Sequence, residues 1–195
     1  MRRDPIAAER RAARGDHVNP LSDGFSLLCA SVQSAVAAVF AEQGLEIELG
    51  APCRGPLAST ESYLATIGFA GDTLRGAVSL LASAEVVSAI LPEGLDPTAA
   101  LLADYLGEVV NMTAGRVKHH LLRRDVLVLL ATPMCATGMD VDIPSSFQGQ
   151  SVWLTYASRC GHIYVKVDAL LALDFKWKEE LPERVLLEEG DAIFF

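Results

Sequence analysis

The stretch from Asp96 to Leu122 reads DPTAALLADYLGEVVNMTAGRVKHHLL. Asp96 suits a helix N-cap, and Pro97 is preset for the first helical position. The spacing predicts one long helix running to about Leu122. At about 100° per residue, Leu102, Leu106, Val109, Thr113 and Val117 fall on one side, which is the side for a core. Asp104, Glu108, Asn111, Gly115 and Lys118 fall in a narrow arc on the opposite side. A plain solvated face would explain the charges, with Glu108 pairing along its own helix for a few tenths of a kcal/mol. Two residues resist that account. Asn competes with the backbone for hydrogen bonds and favours caps and turns. Gly in a helix interior costs on the order of 1 kcal/mol relative to Ala. Both break the local rule one turn apart on the exposed side, which marks a candidate site. Gly115 would remove bulk beside Asn111 and let another backbone approach.

Outward from this helix, Ser83 caps a short predicted helix through Leu91, with Glu85 in its first turn, and Leu91-Pro92-Glu93-Gly94 breaks it. Before it, Ser62–Phe69 and Leu74–Ala82 are strand candidates. Ala70-Gly71-Asp72-Thr73 joins them as a hairpin turn. Leu45–Leu49 is strand-like. Further back, Phe25, Leu28, Cys29, Val32, Val36, Val39 and Phe40 recur at helical spacing, predicting a first helix from Ser22 to Gln43 with Gly44 as its stop. Beyond the long helix, Val126–Ala131 reads as a buried strand ended by Pro133. Residues 134–148 read as an irregular connection. Ser151–Ser158 and Ile163–Leu170 are two further strands, the second alternating Ile163, Val165 and Val167 with Tyr164, Lys166 and Asp168. Helices and strands come in blocks. The expected class is α+β, a largely antiparallel sheet with long helices packed on one face.

Composition narrows function. Of 195 residues, 51% are hydrophobic and 21% charged, enough for a sizeable core. A net charge of -9 excludes a general nucleic-acid binder and favours a partner offering Lys, Arg or a metal ion. No uninterrupted apolar run reaches the roughly 20 residues of a membrane span, and the N-terminus lacks the apolar block of a secretory signal. A cytoplasmic location is therefore expected, without nucleic acid or membrane as partner. Cys29, Cys53, Cys135 and Cys160 form no CxxC pair. Free thiols are the expectation, and a metal site from Cys135, Cys160 and His162 is the weaker alternative. His119 and His120 suit a helix end, where cations complement the dipole. Trp153 and Trp177 are expected as core or interface anchors. Residues 1–20 read as a mobile tail and 21–173 as the domain. Residues 174–195 form an extension with seven acids against three bases.

The string Asp104-x-x-x-Glu108-x-x-Asn111 resembles the signature of the CheX/CheC/FliY chemotaxis phosphatases. Their signature is an acid or serine, then Glu, then Asn, with a proline further on, here Pro133. Gly107-Glu108-Val109-Val110-Asn111-Met112-Thr113-Ala114-Gly115 is similar to the family's helix in detail. Ile67–Asp72 followed by Gly76–Leu80 is similar to its hairpin. The first helix carries no E-x-x-N, so the chain resembles single-site CheX more than two-site CheC. The resemblance, over about residues 22–170, implies a CheX-like domain. It also implies hydrolysis of the aspartyl phosphate on a CheY-like response-regulator receiver domain. Asn111 would fix the attacking water and Glu108 would pair with the receiver's lysine. Asp104, Gly115 and Lys118 would meet the partner. This chain would bind no cofactor, Mg²⁺ being expected in the receiver, and a homodimer is expected. Two alternatives are a non-catalytic adaptor binding a receiver or flagellar-switch component through the same face, and a small-molecule or metal sensor.

Overall fold

The computed structural model describes residues 22–51, 61–139, 141, 143 and 149–179. The expected tail at 1–20, the turn formers at 53–56 and the end of the acidic extension lie outside the described residues. Helix α1 (Asp23–Glu42) starts where Ser22 Oγ accepts the Phe25 amide at 3.2 Å. Strand β1 (Glu48–Leu49) follows. The hairpin β2 (Ser62–Ala70) and β3 (Leu74–Ser83) leads into α2 (Ala84–Ile90) and the long α3 (Ala99–Leu122). The chain closes with β4 (Leu129–Leu130), β5 (Met134–Gly138), β6 (Gln150–Ser158) and β7 (Gly161–Leu171).

The strands form one seven-stranded antiparallel sheet in the order β1-β6-β7-β3-β2-β4, with β5 also pairing β2. Alternation decides its faces. Tyr63, Ala65, Ile67 and Phe69 of β2, Val78 and Leu80 of β3, and Ile163, Val165 and Val167 of β7 are all buried on the side that α1 and α3 cover. Helix α1 contributes Phe25, Leu28, Val32, Val36, Val39 and Phe40 to the same core. By length and composition α1 is apolar enough to cross a membrane; here its apolar side packs into this core. The expected class is therefore the observed one.

Local expectations fared unevenly. The cap of α3 is Thr98, whose Oγ accepts the Leu101 amide at 3.3 Å, so the helix begins after Asp96-Pro97 rather than on it. It stops where Asp125 takes a left-handed backbone (φ 58°) and Val126 donates back to Leu121 at 2.9 Å. The run 126–131 is no buried strand. Val126 and Val128 are buried, but Leu127 and Leu129 are 70% and 77% exposed, and only Leu129–Leu130 pairs as strand. The expected irregular connection opens with an ordered strand, β5, registered on β2 from Ser62↔Gly138 to Thr66↔Met134. The hairpin turn is confirmed, with the Gly71 amide donating to Leu74 at 2.8 Å. A Cβ on Gly71 would stand 2.0 Å from the Leu127 carbonyl oxygen, so the turn must be glycine where that backbone passes.

Beyond these, one pairing was not read from the sequence. Lys166 and Asp168 alternate outward as expected, yet both are buried on the far face of the sheet, ion-paired at 2.9 Å. Lys166 Nζ also donates to the Ile143 carbonyl at 2.9 Å. Past β7, Trp177 is the anchor expected of it: its Nε1 donates to the Gly24 carbonyl at 2.9 Å and its ring meets Phe175 edge-on. Lys178 pairs with Asp125, so this first part of the acidic extension lies against the ends of α1 and α3.

Candidate functional site

Helix α3 lies with Leu102, Leu106, Val109, Val110, Thr113, Ala114 and Val117 buried. That burial turns the opposite side outward. Asp104, Glu108, Asn111 and Gly115 are exposed along it. Thr113 remains helical in the core because its hydroxyl donates to the Val109 carbonyl at 2.8 Å. The helix is held on one flank by α1: the Tyr105 hydroxyl donates to Gln43 Oε1 at 2.5 Å, and Arg116 pairs with Glu42. That guanidinium holds the Glu42 carboxyl below its ordinary range, mainly by its hydrogen bond. On the other flank stands β5, close beside α3.

Asp104, Glu108 and Asn111 form a ridge along this side. Among the described residues, Asp104, Glu108 and Asn111 make no hydrogen bond or ion pair with the rest of the chain. An acid at 104, an acid at 108 and a carboxamide at 111 therefore face outward with their hydrogen-bonding capacity free. Lys118 differs: it is half-buried and already engaged within the chain, so it offers less to a partner. Gly115 gives open space, with nothing within 4 Å of where its Cβ would be. No backbone among the described residues uses that space. The close approach belongs instead to Gly107, where a Cβ would stand 2.7 Å from Cys135 Sγ. Sequence reasoning weighed Cys135 only as a free thiol or a metal ligand and did not bring it to Gly107. A second glycine in the same helix was the available signal, since a helical glycine that faces no solvent needs a near neighbour.

Burial pushes the Cys135 thiol's pKa up, and the carboxylates of Asp104 and Glu108 add to the shift. The thiol is thus neutral, and it lies within the field of both acids. Cys135 and Cys160 do not come together. Cys135 is on β5, whereas Cys160 and His162 are at the β6–β7 turn, across β2, β3 and β7. Among the described residues no group of three or more His, Cys, Asp or Glu side chains could hold a metal ion.

The domain is thus an antiparallel sheet backed by two long helices, one of them presenting an outward-facing acid–acid–carboxamide row. Residues 63–166, more than half of the chain, match the family model described as "Chemotaxis phosphatase CheX". The chain belongs to that family. The fold agrees. Chemotaxis protein CheX from Vibrio vulnificus is 20% identical with a TM-score of 0.64, over 73% of this chain and 99% of that one. A chemotactic CheC-like protein from Shewanella oneidensis MR-1 is 21% identical with a TM-score of 0.64, over 72% and 96%. A chain of the CheX–CheY–BeF3–Mg²⁺ complex from Borrelia burgdorferi is 20% identical with a TM-score of 0.60, over 73% and 97%. Comparison with curated proteins gives no match.

Proposed function

We propose that this protein hydrolyses the aspartyl phosphate of a CheY-like response-regulator receiver domain. The observation that carries this reading is the free hydrogen-bonding capacity of Asp104, Glu108 and Asn111 on a rigid, core-anchored helix. A carboxamide is not a base. Asn111 accepts one hydrogen bond from a water and donates another, holding that water in line with phosphorus. The water oxygen forms the new P–O bond as the bond to the receiver's aspartate breaks, and that carboxylate leaves with the electron pair. The water's protons pass to the phosphate product and to solvent. Phosphoryl transfer asks for positioning more than acid–base power, so an unperturbed carboxamide suffices.

Glu108, one turn before Asn111, pairs with the receiver's active-site lysine, and Asp104 contacts the partner surface beyond it. The Mg²⁺ that neutralises phosphate charge belongs to the receiver. The partner's presence in the cytoplasm places this protein there as well. A homodimer is part of the reading. The exposed apolar side chains Leu127, Leu129 and Met134 near the outer strands β4 and β5 offer it a surface. A clean monomer by size-exclusion with light scattering counts against that element.

The test follows decay of phosphorylated receivers with and without the protein, and with Asn111→Ala. Wild type should accelerate decay of a cognate receiver. Asn111→Ala should lose on the order of a hundredfold of that acceleration, as expected when a reacting water is no longer held in place. Absence of acceleration with every receiver tried sinks the proposal. Binding without acceleration points to an adaptor.

A further inference from the structure

Gly107 is a point of close contact between α3 and β5. A methyl group built there would stand 2.7 Å from Cys135 Sγ, inside contact distance. Cys135 pairs in register with Ala65, which is fully buried on the helix side of the sheet. The thiol therefore projects from the same side of β5 toward α3. Thr137, in register with the buried Tyr63, shares that side of β5. Yet Cys135 remains exposed, because β5 borders open space. Its place is next to the acidic end of the ridge, since Gly107 lies between Asp104 and Glu108 in the chain and both carboxylates act on the thiol.

We propose that Cys135 is a positioning residue of this site: seated against the bare backbone of Gly107, it sets the spacing between the Asp104–Glu108 end of α3 and the β5 edge, so that a docking receiver meets both at once. The inference rests on the receiver-phosphatase reading and deepens it by adding a second wall to the docking surface. The residue types fit the task. A lysine at 135 would pair with Asp104 and Glu108 and occupy the acids meant for the partner. A carboxylate there would repel them. A branched side chain at 135 would crowd the bare helix backbone at 107, and a methyl group at 107 would force the thiol from its seat, since Sγ is what it would meet. A small neutral thiol against a glycine keeps the strand close and leaves both acids free.

The experiment compares wild type, Gly107→Ala, Cys135→Leu and the double variant Gly107→Ala/Cys135→Ala. It measures kcat and KM on the phosphorylated receiver, and Kd for a beryllofluoride-loaded receiver. Each single variant should raise KM and Kd by about tenfold or more while kcat stays within about twofold, because the water-holding Asn111 is left in place and only docking is misaligned. The double variant, which removes the clashing sulfur, should return KM to within about threefold of wild type. The split matters: a partly unfolded population lowers apparent kcat and leaves KM unchanged, so lost folding cannot imitate the expected result. Single variants with wild-type KM, or a double variant that recovers nothing, overturn the inference while the phosphatase reading stands. A wild type that neither binds the loaded receiver nor dephosphorylates it removes the phosphatase reading, and this inference with it.

Discussion

Asn111 and Gly115 were legible in the sequence because both are poor choices for an exposed helix interior. The structure sharpens the difference between them. Asn111 has its carboxamide free among the described residues, which is a chemical asset. Gly115 faces open space, which by itself stabilises nothing. Filling that space isolates its purpose. Gly115→Ala should raise the unfolding free energy of the protein alone by about 0.5–1 kcal/mol, since alanine gains helix propensity and meets no neighbour. The same variant should weaken binding to a loaded receiver if the partner's backbone occupies the space. Denaturant unfolding and a binding titration on one preparation check both signs, and a gain in stability with unchanged affinity removes Gly115 from the docking surface. Glu108 is tested by charge. Glu108→Lys should cost on the order of 2 kcal/mol or more, roughly thirtyfold in receiver affinity, because it replaces attraction to a lysine with repulsion. Affinity equal to wild type in a fluorescence titration would remove Glu108 as the docking acid. What sequence reading missed at this scale was the contact of Cys135 with Gly107, 28 positions earlier in the chain. No local pattern reports a contact of that kind.

Among the elements, the helices and the β2–β3 hairpin were readable because each carries its own period and its own turn chemistry. The segment between α3 and β6 was not. Val126, Leu127, Val128, Leu129 and Leu130 form an unbroken apolar run, which reads as a buried strand. In the fold this run lies at the rim of the sheet and exposes alternate leucines. Strand β5 is short and rich in small and turn-tolerant residues, so its strand character comes almost entirely from pairing with β2. Tertiary context overrides weak propensity in such places. The start of α3 gives a related lesson, and a test. Asp96 and Thr98 are both good caps, and only the coordinates separate them. Thr98→Ala should destabilise the protein by about 1 kcal/mol, whereas Asp96→Ala should stay within about 0.5 kcal/mol, because the Leu101 amide is satisfied by the threonine hydroxyl. Urea midpoints of the two variants decide it, and equal losses would show that Asp96 shares the cap.

At the scale of the molecule, the layering follows from alternation on the sheet and the wide apolar side of each helix, and both were visible in the sequence. The far face was not. Lys166 and Asp168 looked like solvent-facing partners of an alternating strand, but they are buried together, an arrangement the residues themselves do not announce. The layer between α1 and the sheet holds another polar pair with a consequence for stability. Cys29 on α1 and Tyr156 on β6 are both nearly inaccessible to water. Burial pushes the Cys29 thiol from 9.0 up to about 12. Burial also pushes the Tyr156 hydroxyl up, with a smaller contribution from Cys29. In the unfolded chain both groups release their protons near their ordinary values; in the folded chain they keep them. Between about pH 9 and 12 the unfolded state therefore binds fewer protons than the native state, and stability falls as pH rises. Below pH 9 these two groups contribute no pH dependence. Chemical denaturation at a series of pH values should show unfolding free energy insensitive to these groups from pH 7 to 9 and declining steadily above. Cys29→Ala costs some packing at neutral pH, so the comparison is of slopes: the variant should decline less steeply over the first part of that window. A variant whose alkaline slope matches the wild type would mean that the thiol ionises as readily inside this core as in water.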